Sequence, residues 1–169
     1  MHVERLHYAE ARRRISELAA VLADCVEGGA SVSFMAGFSQ ADAERFFARV
    51  ADEAGAGERV LLAALIDGRV MGTAQLILAM PPNQPHRAEL SKMLVHRDAR
   101  GRGLGRALLE AADAQAKAHG KTLITLDTAS DVAERLYTSA GYRKTGTVPD
   151  FALLPDGRLC GTTFMWKRI

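Results

Sequence analysis

Aromatic residues, cysteine and proline are all scarce in this chain. Aromatic residues make up 6% of the 169 positions, and there are five prolines and two cysteines. A core with so few aromatic rings must be built mainly from Leu, Val, Ile and Ala. Hydrophobic residues reach 48%, which is ordinary for a globular protein, so we expect one domain over residues 1–169 with a substantial core.

The two cysteines, Cys25 and Cys160, lie far apart in the sequence. They form neither a metal-ligand spacing nor a disulfide framework, so we expect two reduced thiols and no metal. No apolar stretch is long enough to span a bilayer, and the polar, charged residues 1–14 do not resemble a signal peptide. These features favour a soluble, cytoplasmic protein with no membrane partner.

Positive and negative charges are almost balanced. The formal net charge is +2, and most basic residues are interleaved with acidic ones. A mild positive excess suits an anionic small ligand, but it is too small to indicate a nucleic-acid partner.

Hydrophobic periodicity changes between helical and strand patterns along the chain. It predicts helices at residues 8–24, 39–53, 104–119 and 131–140, and strands at 59–66, 70–79, 88–95, 123–127, 142–147 and 162–167. Asp67-Gly68 predicts a tight hairpin, whereas Pro149 and Pro155 predict a loop between the last two strands. This order indicates a mixed α/β fold, with parallel pairing only where a helix crosses over.

Alternating glycines mark the segment from Arg100 to Gly105, between a predicted strand and a predicted helix. Glycine lets backbone N–H groups approach a ligand closely and tolerates positive φ. The helix N-terminus adds unpaired N–H groups and the positive end of the helix dipole. Because Arg102 and Arg106 add further positive charge, the segment predicts a phosphate-binding site.

Two common nucleotide-binding patterns do not fit. The dinucleotide pattern Gly-x-Gly-x-x-Gly fails because Arg106 stands where the third glycine would be. A P-loop ending in Gly120-Lys121-Thr122 would need a glycine at Gln115, and this triplet precedes a predicted strand instead of following one. A glycine-rich turn without a ligand stays open as an alternative.

The pattern Arg100-x-x-Gly103-x-Gly105, with an apolar strand before it and a helix and Tyr137 after it, resembles the pyrophosphate loop of the GNAT family of N-acetyltransferases. The resemblance implies a mixed, mostly antiparallel central sheet flanked by helices. It also implies acetyl-CoA as co-substrate and no metal. The cofactor contacts that it implies are Met93, Leu94, Val95, Arg100, Gly101, Arg102, Gly103, Leu104, Gly105, Arg106, Ser130 and Tyr137.

N-acetylation requires a base, because an amine must lose a proton before it attacks a thioester. Glu89 begins the strand that leads to the glycine-rich segment, and Asp127 ends the next predicted strand. If these strands are neighbours, both carboxylates can face one acceptor cavity. Alternatively, Glu89 is a strand-end charge paired with Arg87, and Asp127 caps a turn.

The resemblance assigns Tyr137 to protonating or hydrogen-bonding the coenzyme A sulfur, although helical spacing also allows a plain core aromatic. It further implies a strand bulge near Met93 to Val95 that frees backbone N–H groups for the developing oxyanion. Many members of the family place an Asn after the strand that ends at Asp127. Here Ala129-Ser130-Asp131 stands there, so Ser130 is only a candidate substitute.

We therefore expect direct acetyl transfer from acetyl-CoA to a small amino-acid-like amine, since no credible nucleophile set is present. The apolar loop at residues 32–38 suits a lid over a small acceptor. Two alternatives remain: acetylation of a protein N-terminus or lysine, and a non-catalytic acyl-CoA sensor. The oligomeric state is open, with a homodimer as the candidate assembly.

Overall fold

The computed structural model describes residues 1–169 as seven strands and five helices. The strands are β1 (His2–Leu6), β2 (Arg59–Ile66), β3 (Arg69–Ile77), β4 (Arg87–Val95), β5 (Leu123–Thr128), β6 (Arg143–Leu153) and β7 (Leu159–Arg168). The helices are α1 (Tyr8–Arg13), α2 (Ile15–Glu27), α3 (Gln40–Gly55), α4 (Leu104–Ala118) and α5 (Asp131–Ser139). All strands form one sheet in the order β1-β2-β3-β4-β5-β7-β6, in which only β4 and β5 pair in parallel. The sheet is mixed and mostly antiparallel, as the sequence predicts.

Helices cover both faces of the sheet, which explains why β2 is apolar along almost its whole length. Val60 and Leu62 contribute to the core on the α4 face, whereas Leu61 and Ala63 contribute to the core beneath α1, α2 and α3. Both cores are built chiefly from aliphatic side chains, as the low aromatic content requires. None of the helices is long and apolar enough to cross a bilayer.

The N-terminal region departs from the prediction in two ways. Residues His2–Leu6 form an edge strand against β2, although only Leu6 is buried and the segment lacks an apolar strand pattern. The predicted single helix is divided at Arg14, whose φ of −103° and ψ of 12° end α1 before α2 begins. Arg14 also donates to Glu17 and to the carbonyl of Gly68, contacts that tie this break to the β2–β3 turn.

The C-terminal hairpin is longer than predicted. Pro149 lies inside β6, where the pairing with β7 is irregular between Val148 and Ala152 and Asp150 has a φ of +52°. Because β6 is an edge strand, a bulge can absorb the missing proline N–H without breaking a central ladder. The predicted loop is therefore reduced to the short turn that contains Pro155.

A bulge in β4 lies at the centre of the sheet. Lys92 has a φ of +49°, and the register with β3 shifts between the pairs Thr73–Leu94 and Gln75–Ser91. The extra residue reverses the side-chain alternation, so Leu90 packs into the α4 core and Leu94 into the α2–α3 core. The resemblance placed the bulge near residues 93–95; it begins one residue earlier.

The strands β4 and β5 pair over only three positions. Their parallel register joins Arg87–Glu89 to Leu123–Thr125 and ends there. Beyond Glu89, the side of β4 that faces β5 has no strand partner, so a gap opens towards the carboxyl ends of both strands.

Leu108 is fully buried in the core between α4 and the sheet. We predict that Leu108→Ala lowers the free energy of unfolding by about 2–5 kcal/mol, because it removes apolar contacts and leaves a cavity. Chemical denaturation measures this change. Val132→Ala is the control, since Val132 is 70% exposed and its truncation should cost less than about 0.5 kcal/mol. Equal costs for the two variants would contradict this packing.

Candidate active site

The glycine-rich segment forms the N-terminal end of α4, as predicted. Gly101 and Gly103 have φ values of +75° and +84°, and a Cβ at either position would meet no heavy atom within 4 Å. The first hydrogen bond of the helix joins the N–H of Ala107 to the carbonyl of Gly103. The N–H groups from Gly103 to Arg106 therefore point out of the helix end, where they can receive an anion.

The three predicted arginines have different surroundings. Arg100 donates through Nε to the carbonyl of Val95 over 3.2 Å, which fastens the turn to the end of β4. Arg106 donates to the Ser139 hydroxyl over 2.7 Å and so joins α4 to α5. Arg102 is exposed and forms no ion pair within the chain. Of the three, Arg102 is the side chain best placed to meet a bound anion.

The two predicted carboxylates lie on the same face of the sheet. Glu89 is in register with Thr125, and Asp127 follows Thr125 by two positions, which returns its side chain to that face. Glu89 also lies 3.4 Å from Arg87, which donates to the Thr125 hydroxyl over 2.7 Å. The expected ion pair with Arg87 is thus present, and it holds Glu89 at the point where β4 and β5 diverge.

Asp127 is exposed to solvent on one side, yet the protein around it partly desolvates its carboxyl. Desolvation by the surrounding protein raises the pKa of the Asp127 carboxyl above its usual value, and the negative charge of Glu89 raises it further. The positive charge of Lys92 acts in the opposite direction but does not cancel these effects. A carboxyl of this kind is suited to exchanging protons with a substrate.

Lys92 belongs to this group, although the sequence did not single it out. Its Nζ donates to the Ser33 hydroxyl over 3.2 Å and lies 5.9 Å from the centre of the Phe34 ring. Burial lowers the pKa of the Lys92 ammonium, while the charge of Asp127 partly restores it. A lysine directly before the apolar run Met93-Leu94-Val95 was the available signal. The resemblance implies a bulge near this run, but it does not indicate that the bulge turns Lys92 towards Ser33.

The predicted lid is an ordered loop that packs on α3. Phe34 stacks on Phe38 with ring centres 4.1 Å apart and meets Phe46 of α3 edge-on at 5.4 Å. The contact between Ser33 and Lys92 brings this loop over the carboxylate side of β4. The apolar character of residues 32–38 thus reflects packing of the loop itself.

Tyr137 is 6% exposed and lies on α5, with its ring 5.7 Å from that of Tyr142. Burial raises the pKa of the Tyr137 phenol, and the charge of Asp127 raises it further. The phenol therefore keeps its proton at neutral pH. Tyr137 is thus a core aromatic, as one of its two interpretations expects, and lies close enough to Asp127 to sense its charge.

Ser130 caps α5, because its hydroxyl accepts the N–H of Ala133 over 3.2 Å. This contact gives Ser130 a structural role that competes with the predicted cofactor contact. Leu94 is buried, and the carbonyl of Val95 already accepts from Arg100. Along the gap, residues 93–95 can therefore offer a ligand mainly backbone groups other than the Val95 carbonyl.

A cavity of about 850 Å³ lies away from these residues, between the end of α2, the loop at Ala36 to Phe38 and the β6–β7 turn. It contains none of the predicted site residues. No cluster of His, Cys, Asp and Glu side chains is arranged to hold a metal ion. The two predicted carboxylates lie instead at the gap between β4 and β5.

The sequence matches the Acetyltransferase (GNAT) family over residues 27–142, and the chain belongs to this family. It is an acetyltransferase by family, with the GNAT fold that the sequence predicts.

Similar solved structures cover almost the whole chain. The ribosomal-protein-alanine N-acetyltransferase of Brucella melitensis is 24% identical, with a TM-score of 0.81 and 100% of each chain covered. The phosphinothricin acetyltransferase of Sinorhizobium meliloti, in complex with acetyl-CoA, is 22% identical, with a TM-score of 0.80 and coverage of 99% and 87%. The yncA protein of Salmonella typhimurium, with its cofactor acetyl-CoA, is 20% identical, with a TM-score of 0.81 and coverage of 99% and 93%. At these identities the likeness establishes the fold alone.

The raised pKa of Asp127 has a consequence for stability. Above this pKa the ionised carboxyl costs the folded state free energy, and below the pKa of the unfolded chain, about 3.9, the cost is absent. Asp127 is exposed, so solvent screening keeps this cost small. We predict that Asp127→Asn raises Tm by about 1 °C at pH 7 and that this gain shrinks towards pH 4. Thermal unfolding across this range measures the effect.

Asp98→Asn is the matched control, because Asp98 is 85% exposed and near a different set of charges. A gain in Tm that is the same at every pH, or a loss at pH 7, would contradict the proposed environment of Asp127.

Proposed function

We propose that the protein transfers the acetyl group of acetyl-CoA directly to the amine of a small amino-acid-like molecule. One observation carries this proposal: the gap between β4 and β5 has the open N-terminal end of α4 at its mouth and Glu89 and Asp127 along one face. An anionic donor and a cationic acceptor can thus approach the same opening from different sides.

The N-terminal end of α4 fits the pyrophosphate of coenzyme A. Backbone N–H groups from Gly103 to Arg106 have no acceptor within the chain, and Gly101 and Gly103 leave open space for close approach. Arg102 supplies a full positive charge beside them. The unpaired side of β4 at residues 93–95 would bind the pantetheine arm through backbone groups.

Acetyl-CoA supplies an acetyl thioester as the group to be transferred. Glu89 and Asp127 attract the acceptor ammonium and remove its proton, so that the nitrogen lone pair can attack the thioester carbonyl carbon. The backbone at the β4 bulge donates to the carbonyl oxygen as negative charge develops there. A C–N bond forms first, giving a tetrahedral intermediate whose nitrogen releases its second proton to solvent. The C–S bond then breaks as the phenol of Tyr137 gives a proton to the departing sulfur, and the phenol is reprotonated before the next turnover.

The acceptor class rests on a second resemblance. Several segments resemble the tabtoxin resistance protein, a GNAT enzyme that acetylates the β-lactam amino acid tabtoxinine-β-lactam. They are Gly28-Gly29-Ala30-Ser31-Val32, Phe34-Met35-Ala36, Arg87-Ala88-Glu89, Ala99 to Arg106, Leu126-Asp127-Thr128 and Pro155-Asp156-Gly157-Arg158-Leu159. In that protein the Glu and Asp that match Glu89 and Asp127 are thought to act on the acceptor amine. Tabtoxinine-β-lactam is therefore our first candidate acceptor. Acetylation of this compound would give the protein a role in antibiotic resistance.

Acetylation of a protein N-terminus is the second candidate, because the similar Brucella melitensis protein is a ribosomal-protein-alanine N-acetyltransferase. A peptide acceptor needs an open groove beside the carboxylates. The lid contact between Ser33 and Lys92 narrows this side and favours a small acceptor. A non-catalytic acyl-CoA sensor would not need Glu89, Asp127 and Tyr137 around the gap.

Release of free thiol from acetyl-CoA tests the proposed activity. The acceptor set should contain tabtoxinine-β-lactam, the common amino acids and a peptide that begins with alanine. We expect the highest kcat/KM with a free amino acid or the β-lactam. Turnover of the peptide alone would favour the second candidate, and no turnover with any acceptor would contradict the proposal.

The cofactor site generates its own prediction. Gly103→Glu places a bulky negative side chain where the pyrophosphate would lie, so we predict an acetyl-CoA affinity reduced about 100-fold or more. Isothermal titration calorimetry measures this affinity. Gly120→Glu is a closely matched control, because Gly120 also has a positive φ of +67° and open space around it but follows the other end of α4. Comparable losses in both variants, or none in Gly103→Glu, would overturn the assignment.

The two carboxylates lead to a prediction about the rate of acetyl transfer. We predict that Glu89→Gln and Asp127→Asn lower kcat/KM by about 10²–10⁴-fold, because neither amide can accept the acceptor's proton. Acetyl-CoA affinity should stay at the wild-type value in both. Glu110→Gln, on the exposed side of α4, serves as the control. Full activity of both site variants would refute the role of these residues.

A further inference from the structure

Lys92 is a strained residue at the centre of the acceptor side. A non-glycine residue with positive φ costs the fold free energy, and such residues cluster at functional sites. The φ of +49° turns the Lys92 side chain out of the sheet ladder and towards Ser33 of the lid. Ser33 itself has a φ of +78°, so two unusual backbone conformations meet at this contact.

The Lys92 ammonium is poorly compensated. It carries three donor hydrogens, and the Ser33 hydroxyl is its only hydrogen-bond acceptor in the chain. No carboxylate lies within ion-pair distance, although Asp127 and Glu89 are near enough to influence its charge. Because the side chain is only half-buried, a ligand can reach the remaining donors.

Arg59 shows by contrast how this chain compensates the charge of a more deeply buried cation. Its side chain is 15% exposed, and its guanidinium forms an ion pair with Glu53 and donates to the fully buried Gln75. Arg59 is close enough to Lys92 to disfavour its positive charge. Lys92 has no comparable partner, so its charge stays available to an anionic ligand.

We propose that Lys92 and Ser33 form a subsite for the carboxylate of the acceptor, so that the acceptor is a free α-amino acid bound as its zwitterion. This inference rests on the proposed function. The ammonium of the acceptor lies between Glu89 and Asp127. The carboxylate of the acceptor accepts hydrogen bonds from Lys92 Nζ and the Ser33 hydroxyl. The opposite charges of the acceptor thus match the opposite charges that the bulge sets side by side.

A simpler role for Lys92 would be to reduce the repulsion between Glu89 and Asp127. The two roles differ in what they predict for acceptors that lack a carboxylate. A neutralising lysine affects every amine equally, whereas a carboxylate subsite distinguishes an amino acid from its carboxamide. Peptides and proteins present an amide at this position, so the subsite also selects against them.

The test compares each common amino acid with its carboxamide, by thiol release at saturating acetyl-CoA. For the wild-type protein we expect kcat/KM to favour the acid by about 10-fold or more, corresponding to about 1.4 kcal/mol. Lys92→Met should bring this ratio close to one, mainly by raising KM for the acid. Lys92→Arg should keep most of the preference, and Lys117→Met, on the exposed side of α4, should keep all of it.

Equal kcat/KM for acid and carboxamide in the wild-type protein would overturn the subsite while leaving the acetyltransferase activity intact. So would an equal loss for both acceptors in Lys92→Met. If Lys92→Met does not fold, the wild-type comparison and Ser33→Ala decide, since removal of the hydroxyl should lower the preference several-fold. An absence of thiol release with every acceptor would instead refute the proposed function, and the subsite with it.

Discussion

The separation of β4 from β5 is the constraint on which the rest of the structure depends. These strands pair at only three positions, the last of which joins Glu89 to Thr125, and the bulge at Lys92 reverses the side-chain alternation of β4 beyond that point. A regular ladder would place another strand's backbone where the gap now lies, and it would leave no room for a ligand at the middle of the sheet. Unpaired backbone groups and the strained Lys92 cost the fold free energy, and the packed cores on both faces of the sheet offset this cost.

Electrostatics then divides the gap into two regions. The N-terminal end of α4 and Arg102 create a positive region at the mouth, while Glu89 and Asp127 create a negative one along the sheet face. The negative region is not optimised for stability, because partial desolvation and the charge of Glu89 raise the pKa of Asp127. Residues that disfavour their own charge in the folded state are typical of places where a protein exchanges protons.

The features predicted correctly from sequence are those that short segments encode. The glycines from Arg100 to Gly105 and the Asp67-Gly68 turn act through local backbone conformation, so a few residues suffice to specify them. The strand β1 could not be predicted, because pairing with β2 stabilises it although its own pattern is polar. Lys92 escaped prediction for a similar reason, since its orientation depends on a register shift against β3. Long-range pairing leaves no signal in a local window.

The two sides of the proposed site also differ in whether local or long-range contacts build them, which bears on acceptor specificity. The donor side is formed by one continuous segment that ends β4 and begins α4. The proposed acceptor side is assembled from distant parts of the chain. Two hydrogen bonds hold the lid segment to the C-terminal hairpin: the Ser31 hydroxyl donates to the Leu153 carbonyl, and the Ala36 N–H donates to the Pro155 carbonyl. A change in the β6–β7 turn can therefore move Ser33 relative to Lys92 without touching the end of α4. On the proposed function, this arrangement would let the acceptor vary while the donor stays the same, since the two proposed sides share only the strand β4.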